Sequence, residues 1–184
     1  MPGASAPVYQ IVAPSDRPSY VVNFGATAPT AATDLFAIEA GTTGIVRLQR
    51  IVIYNPGGQT TPGLVTLTLV RTKTAGSGGV VTPEVVDPID TTTGLAGGTP
   101  NFSGIVRAGN TTLGTQDASI AGDFSLWIPG ATAAFNPLVL EMGGQGQVYK
   151  QPTARPGFGI AFRHPGATGA TTWYGYAVWT EDVY

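Results

Sequence analysis

The sequence predicts an all-β protein, a two-sheet antiparallel β-sandwich preceded by an extended arm. Three observations carry this. The apolar residues, mostly Val, Ile, Leu and aromatics, fall in short runs separated by turn residues. Within the runs a period of two recurs, as where Val65, Leu67 and Leu69 alternate with Thr66, Thr68 and Val70. Turn signals recur about every 8–12 residues, which fits a sandwich of the jelly-roll kind.

Composition sets the limits. The chain has 184 residues, enough for one domain with a sizeable core. A hydrophobic content of 42% is too high for a disordered chain. Gly 26 and Pro 15 are abundant, yet no three-residue repeat runs through them, which excludes collagen. Only 11% of residues are charged, about half the usual share. A surface so poor in charge implies burial against neighbours in an assembly, although a Thr/Ser/Gly-rich neutral surface also dissolves. The net charge of −2 provides no basic field for nucleic acid. There are no cysteines, so disulfides and thiolate metal sites are excluded. The opening MPGASAPVYQIV has neither a basic n-region nor an apolar h-region, so no secretory leader is expected. No apolar run approaches the roughly 20 residues of a membrane span, and no membrane partner is expected.

Residues 1–18 read as an extended arm, because Pro2, Pro7, Pro14 and Pro18 prevent a helix. The apolar island Val8, Tyr9, Gln10, Ile11 and Val12 is the candidate partner-binding segment, suited to pairing with another subunit's sheet edge. Residues 19–184 then form a single sandwich domain. Ser19–Gly25 is its first strand. Asp34–Ala40 contains helix formers, but Leu35, Ala37 and Glu39 alternate with Phe36 and Ile38, and Gly41 stops the run. It reads as a strand.

The frame is the stretch Gly44–Gly79. Its two runs, Ile45–Tyr54 and Leu64–Thr72, are joined by a nine-residue Pro/Gly-rich connection. That is longer than a tight hairpin loop, so direct pairing and a crossing between two sheets both stay open. Arg47 falls in step with Ile45, Ile51 and Ile53, and Arg50 with Val46, Leu48 and Val52. Neither face is cleanly apolar, which predicts charged ends around a buried middle.

Thr74–Gly79 reads as a turn. Pro83 and Pro88 break Val80–Asp90 into two short edge strands. Thr91–Asn101 is a low-complexity loop, Phe102–Ala108 a strand, and Gly109–Ala121 a polar stretch fit for an open loop or a short helix. Asp123–Ile128 sets Phe124, Leu126 and Ile128 against Asp123, Ser125 and Trp127, and ends at Pro129. Phe135–Met142 and Gly157–Arg163 are further strands. Trp173–Glu181 closes the set, with Tyr174, Tyr176 and Val178 on one face and Trp173, Gly175, Ala177 and Trp179 on the other. The total is roughly eight to ten strands.

Catalytic signals are sparse. The only histidine, His164, lies in the turn Arg163-His164-Pro165-Gly166 and reads as a solvated turn residue. No G-x-S-x-G elbow accompanies it. Asp87 with Asp90, and Glu181 with Asp182, are local carboxylate pairs; glycoside hydrolysis needs two carboxylates facing each other across a cleft. Turn capping explains them more simply. The glycine-rich loops lack the phosphate-binding pattern and read as turns. The sequons at Asn101 and Asn110 carry no weight without a leader. Arg47, Arg50 and Arg71 are read either as ion-pair partners at an interface or as strand-end arginines in water. Tyr174, Tyr176 and Trp179 fit core positions better than a glycan site. No catalytic, metal or cofactor residue is assigned, and an enzyme is not expected.

Four stretches carry a resemblance: Ile45-Val46-Arg47-Leu48-Gln49-Arg50-Ile51, Leu67-Thr68-Leu69-Val70-Arg71-Thr72-Lys73-Thr74-Ala75, Val86-Asp87-Pro88-Ile89-Asp90 and Trp179-Thr180-Glu181. In these the chain resembles a group of small virion proteins of tailed bacteriophages, described as minor structural, head-decoration or head-fibre proteins. The likeness runs from Asp34 to Glu181 and leaves the arm outside. The Pro/Gly loops here are richer than in that group. The resemblance implies a jelly-roll-like sandwich on the outside of a capsid, often as a trimer. The expectation is therefore a capsid decoration or cement protein, made in the host cytoplasm, that contacts the major capsid protein and needs no cofactor. The alternative is a virion adhesin, a head fibre or tail component that binds a host-surface glycan or receptor. A polysaccharide depolymerase ranks last.

Overall fold

The computed structural model describes residues 19–57, 61–81, 84–85, 102–117, 122–130, 137–142, 152–166 and 172–183. The arm, including Val8–Val12, lies outside them, as do Asp87, Asp90 and the segment Gln145–Tyr149. The described residues form strands and turns with no helix, so no helix among them is long and apolar enough to cross a membrane. The strands are β1 (Ser19–Thr27), β2 (Thr33–Glu39), β3 (Gly44–Tyr54), β4 (Gly63–Thr72), β5 (Ser77–Val81), β6 (Glu84–Val85), β7 (Ile105–Thr112), β8 (Gly122–Ile128), β9 (Leu138–Glu141), β10 (Thr153–Ala154), β11 (Gly159–His164) and β12 (Trp173–Val183).

All pairings are antiparallel, and they build two six-stranded sheets. Sheet A runs β10-β3-β12-β1-β6, with β9 lying beside β10 along the same edge of β3. Sheet B runs β5-β7-β2-β11-β4-β8. Two interleaved sets, β9-β3-β12-β1 and β2-β11-β4-β8, give the strand order of a jelly roll. The stretch β5–β7 is inserted between β4 and β8. It extends both sheets on one side, β7 and β5 beyond β2 and β6 beyond β1.

The connection after Tyr54 therefore crosses between sheets: β3 is central in sheet A, and β4 lies in sheet B. Strand β7 runs on to Thr112, where the sequence reading had a polar loop or short helix. The next residues form neither; Thr115 and Asp117 bond by their backbones to Lys73 and Arg71 beside β4. The turn expected at Thr74–Gly79 becomes strand from Ser77.

A bulge settles the phase of β3. Val178 pairs with Arg50 and Trp179 with Leu48, so Gln49 is an extra residue. Past it the alternation inverts. Val46, Leu48, Ile51 and Ile53 all face inward and are fully buried, while Arg47 and Arg50 both face outward. The expected charged ends and buried middle give way to one clean inner face. Strand β2 repeats the device: Phe162 pairs with Phe36 but Arg163 with Asp34, so Leu35 is extra. Asp34 is thereby turned away from the face of Phe36.

The core lies between the sheets. Tyr20, Phe36, Phe162, Trp173 and Trp179 are among its fully buried side chains. Tyr20 stacks on Trp179 at 5.7 Å, and Phe24 of sheet A meets Phe36 of sheet B at 5.3 Å. Such ring pairs add to the stabilisation from buried area. Gly175 is required where it stands, because a Cβ there would lie 2.2 Å from the Val52 carbonyl oxygen and 2.6 Å from the Phe24 ring. Ala37, Val70 and Ala161 form a small second buried cluster on the outer face of sheet B.

Candidate functional site

Most of the described charge is matched within the chain. Arg47 pairs with Asp182 at 2.6 Å, Arg50 with Glu141 at 2.5 Å, Arg71 with Asp117 at 2.6 Å, Arg107 with Glu39 at 3.2 Å and Arg163 with Asp34 at 2.8 Å. The three arginines singled out from sequence thus have internal carboxylate partners. Arg163–Asp34 is the most buried pair. Burial pushes the Asp34 carboxyl above its ordinary value, while Arg163 and Asn110 pull it down. Arg163 also donates to the Gly114 carbonyl at 3.2 Å. The Tyr176 side chain, and then Glu141, hold the Arg50 guanidinium above its ordinary value.

Among the described residues, His164 and the Glu181–Asp182 pair are held apart from one another's chemistry by burial and by strand face. His164 is not a solvated turn residue: it ends β11 and is 1% exposed. Its Nδ1 accepts the Gly166 N–H at 2.9 Å, and its ring lies 5.5 Å from that of Trp173. Among the described residues no hydrogen-bond partner meets its Nε2, and none of their carboxylates orients the ring there. Burial pushes its pKa down to about 4. Glu181 and Asp182 are neighbours on opposite faces of β12. Glu181 is fully buried and accepts both the Ser103 hydroxyl and, at 3.2 Å, the Ser103 N–H. Asp182 faces outward to Arg47. They do not face each other across a cleft. Among the described residues no three His, Cys, Asp or Glu side chains cluster as a metal site. Asn110 is fully buried in β7, and Asn101 lies outside the described residues. A cavity of about 150 Å³ opens beside Glu39, Thr74 and Phe158. Its one carboxylate is the Glu39 that Arg107 engages.

The surfaces offer more. On the outer face of sheet A, Val139, Val52 and Tyr176 form one cross-strand row, with Tyr54 and Tyr174 on the next. Val139 is 51% exposed, and the Tyr54 and Tyr174 rings stack at 5.7 Å. Gly25 leaves room for the Tyr174 ring, which a Cβ there would meet at 2.7 Å. The Arg50–Glu141 pair borders this apolar face. Of the aromatics named from sequence, Trp179 is core, whereas Tyr174 and Tyr176 are half-buried here.

The second surface is on sheet B, where β8 forms an edge beside β4. Trp127 is 64% exposed and stands directly opposite Leu64, itself 59% exposed. Two residues along, the Thr66 and Ser125 hydroxyls share a hydrogen bond of 3.0 Å. Two further on, Thr68 faces Asp123. In the sequence Trp127 shares its face of the strand with Asp123 and Ser125. The signal was present: a tryptophan on the polar face of an amphipathic strand is displayed to solvent.

Fold and surfaces together define a jelly-roll-ordered β-sandwich with apolar side chains on both outer faces. No protein-family model, curated protein or solved structure matches the chain.

Proposed function

We propose that this chain is a structural virion protein that decorates the outside of a bacteriophage head shell, docking on the major capsid protein as a homo-oligomer, a trimer by preference. The observation that carries this reading is the distribution of charge and apolar surface. Five arginines are neutralised inside the chain, while Tyr54 and Val139 lie exposed on the outer face of sheet A. A surface of that kind is suited to contact with other protein. The resemblance to phage head proteins in strand pattern supplies the partner.

The outer face of sheet A is the proposed docking surface. It combines aromatic anchors with an apolar edge strand and a bordering ion pair, the make-up of a binding hot spot. Val8–Val12 is the proposed clasp. Many modest contacts repeated over a shell give avidity that one contact lacks. The test is saturable binding of the purified chain to undecorated, expanded capsids at a fixed ratio to the major capsid protein. Val139→Lys is expected to lose that binding, and deletion of residues 1–18 to leave a folded chain that no longer binds. Undiminished binding by Val139→Lys would remove the sheet A surface from the reading, and undiminished binding by the truncated chain would remove the clasp.

A further inference from the structure

We propose that the β4–β8 corner of sheet B is a binding site for a neutral oligosaccharide. Trp127 and Leu64, paired across the two strands, form an apolar floor on which the C–H face of a sugar ring can lie. The next row holds the hydroxyls of Thr66 and Ser125, each able to donate and accept. The row after that brings Thr68 beside the exposed carboxylate of Asp123, which belongs to none of the ion pairs described above. A carboxylate accepting from sugar hydroxyls makes the stronger, charge-assisted kind of hydrogen bond. Successive rows lie about 7 Å apart along a strand, a step comparable with one sugar ring.

The charge pattern selects the ligand. Asp123 repels carboxylated or sulfated sugars. Across the sheet Thr68 pairs with Arg163, whose guanidinium is engaged by Asp34 and the Gly114 carbonyl. A protein partner is the poorer fit. A protein large enough to cover all three rows would bury Asp123 and the hydroxyl pair as well as Trp127, and these then need partners of their own. A sugar brings a hydroxyl to each.

The two outer faces of a sandwich point in opposite directions. A chain docked through sheet A would still display Trp127. The site does not depend on the docking reading, because the free chain carries it.

The test is affinity electrophoresis of the full chain in native gels containing neutral glucans, mannans or galactans, with hyaluronan and alginate as anionic controls. Retardation by at least one neutral polymer is expected, and none by the anionic ones. Trp127→Ala should weaken the retardation at least about tenfold, and Asp123→Asn several-fold, with melting temperatures unchanged because both side chains are exposed. Absence of retardation across the neutral panel, or equal retardation of Trp127→Ala, overturns the proposal. So does sedimentation showing that Trp127→Ala converts an oligomer to a monomer, which would make the corner a protein interface.

Discussion

Acid should destabilise this protein through His164. His164 is buried at the end of β11, with Nδ1 accepting the Gly166 N–H and no partner at Nε2 among the described residues. Burial lowers its pKa from the ordinary 6.5 to about 4. The unfolded chain therefore takes up the proton at higher pH than the folded one. Between those two values the unfolded state holds more protons, so stability falls as pH falls, and the loss is complete below the lower value. Each tenfold of proton affinity is worth about 1.4 kcal/mol, so this group alone removes about 3 kcal/mol. For a chain of this size that is a fall in Tm of about 6–12 °C. Asp34 acts with the opposite sign, since its raised pKa favours the folded state as acid is added. A comparison that leaves Asp34 in place isolates the histidine. His164→Asn is suitable, because an amide oxygen can accept the Gly166 N–H in place of Nδ1. Thermal melts of both proteins at about pH 7 and about pH 4 read the effect. The wild type is expected to lose about 3 kcal/mol more than the variant across that interval. An equal loss in both proteins would refute the assignment.

Three further outcomes follow from the packing. Arg163→Ala strands the buried Asp34 carboxylate and should cost about 3–5 kcal/mol in chemical denaturation, part of it recovered when Asp34→Asn is added. Arg50→Ala, which breaks an exposed pair, should cost no more than about 1 kcal/mol in the same assay. Gly175→Ala drives a Cβ into the Val52 carbonyl and the Phe24 ring, whereas Gly57 has nothing within 4 Å of the same position; the first should cost about 3 kcal/mol or more and the second well under 1, compared by melting temperature.

Much of the sandwich was legible because alternation survives intact in several strands. In β4, β8, β11 and β12 the inward residues are those that the period of two selects. Other features depended on distant partners. Gln49 and Leu35 are extra residues defined by register against β12 and β11, and no local signal separates them from their neighbours. Without that register, Arg47 and Arg50 fall on opposite faces and the strand looks mixed. His164 was misread because Pro165 and Gly166 follow it; its burial comes from packing against Trp173, nine residues on in the chain and in the other sheet. The ion pairs were hidden for the same reason, since Arg47 meets Asp182 across 135 residues of sequence. The exposed Trp127 was readable from its two polar companions on β8.

The functional proposal turns on docking to a capsid shell through the outer face of sheet A. Binding of the purified protein to undecorated, expanded capsids, with its oligomeric mass measured in parallel, tests this most directly. Saturable binding at a fixed ratio to the major capsid protein is expected, with shells that melt at higher temperature once decorated, loss of binding with Val139→Lys and retention with Trp127→Ala. Adsorption to host cells with no binding to capsids would contradict it and favour the adhesin reading.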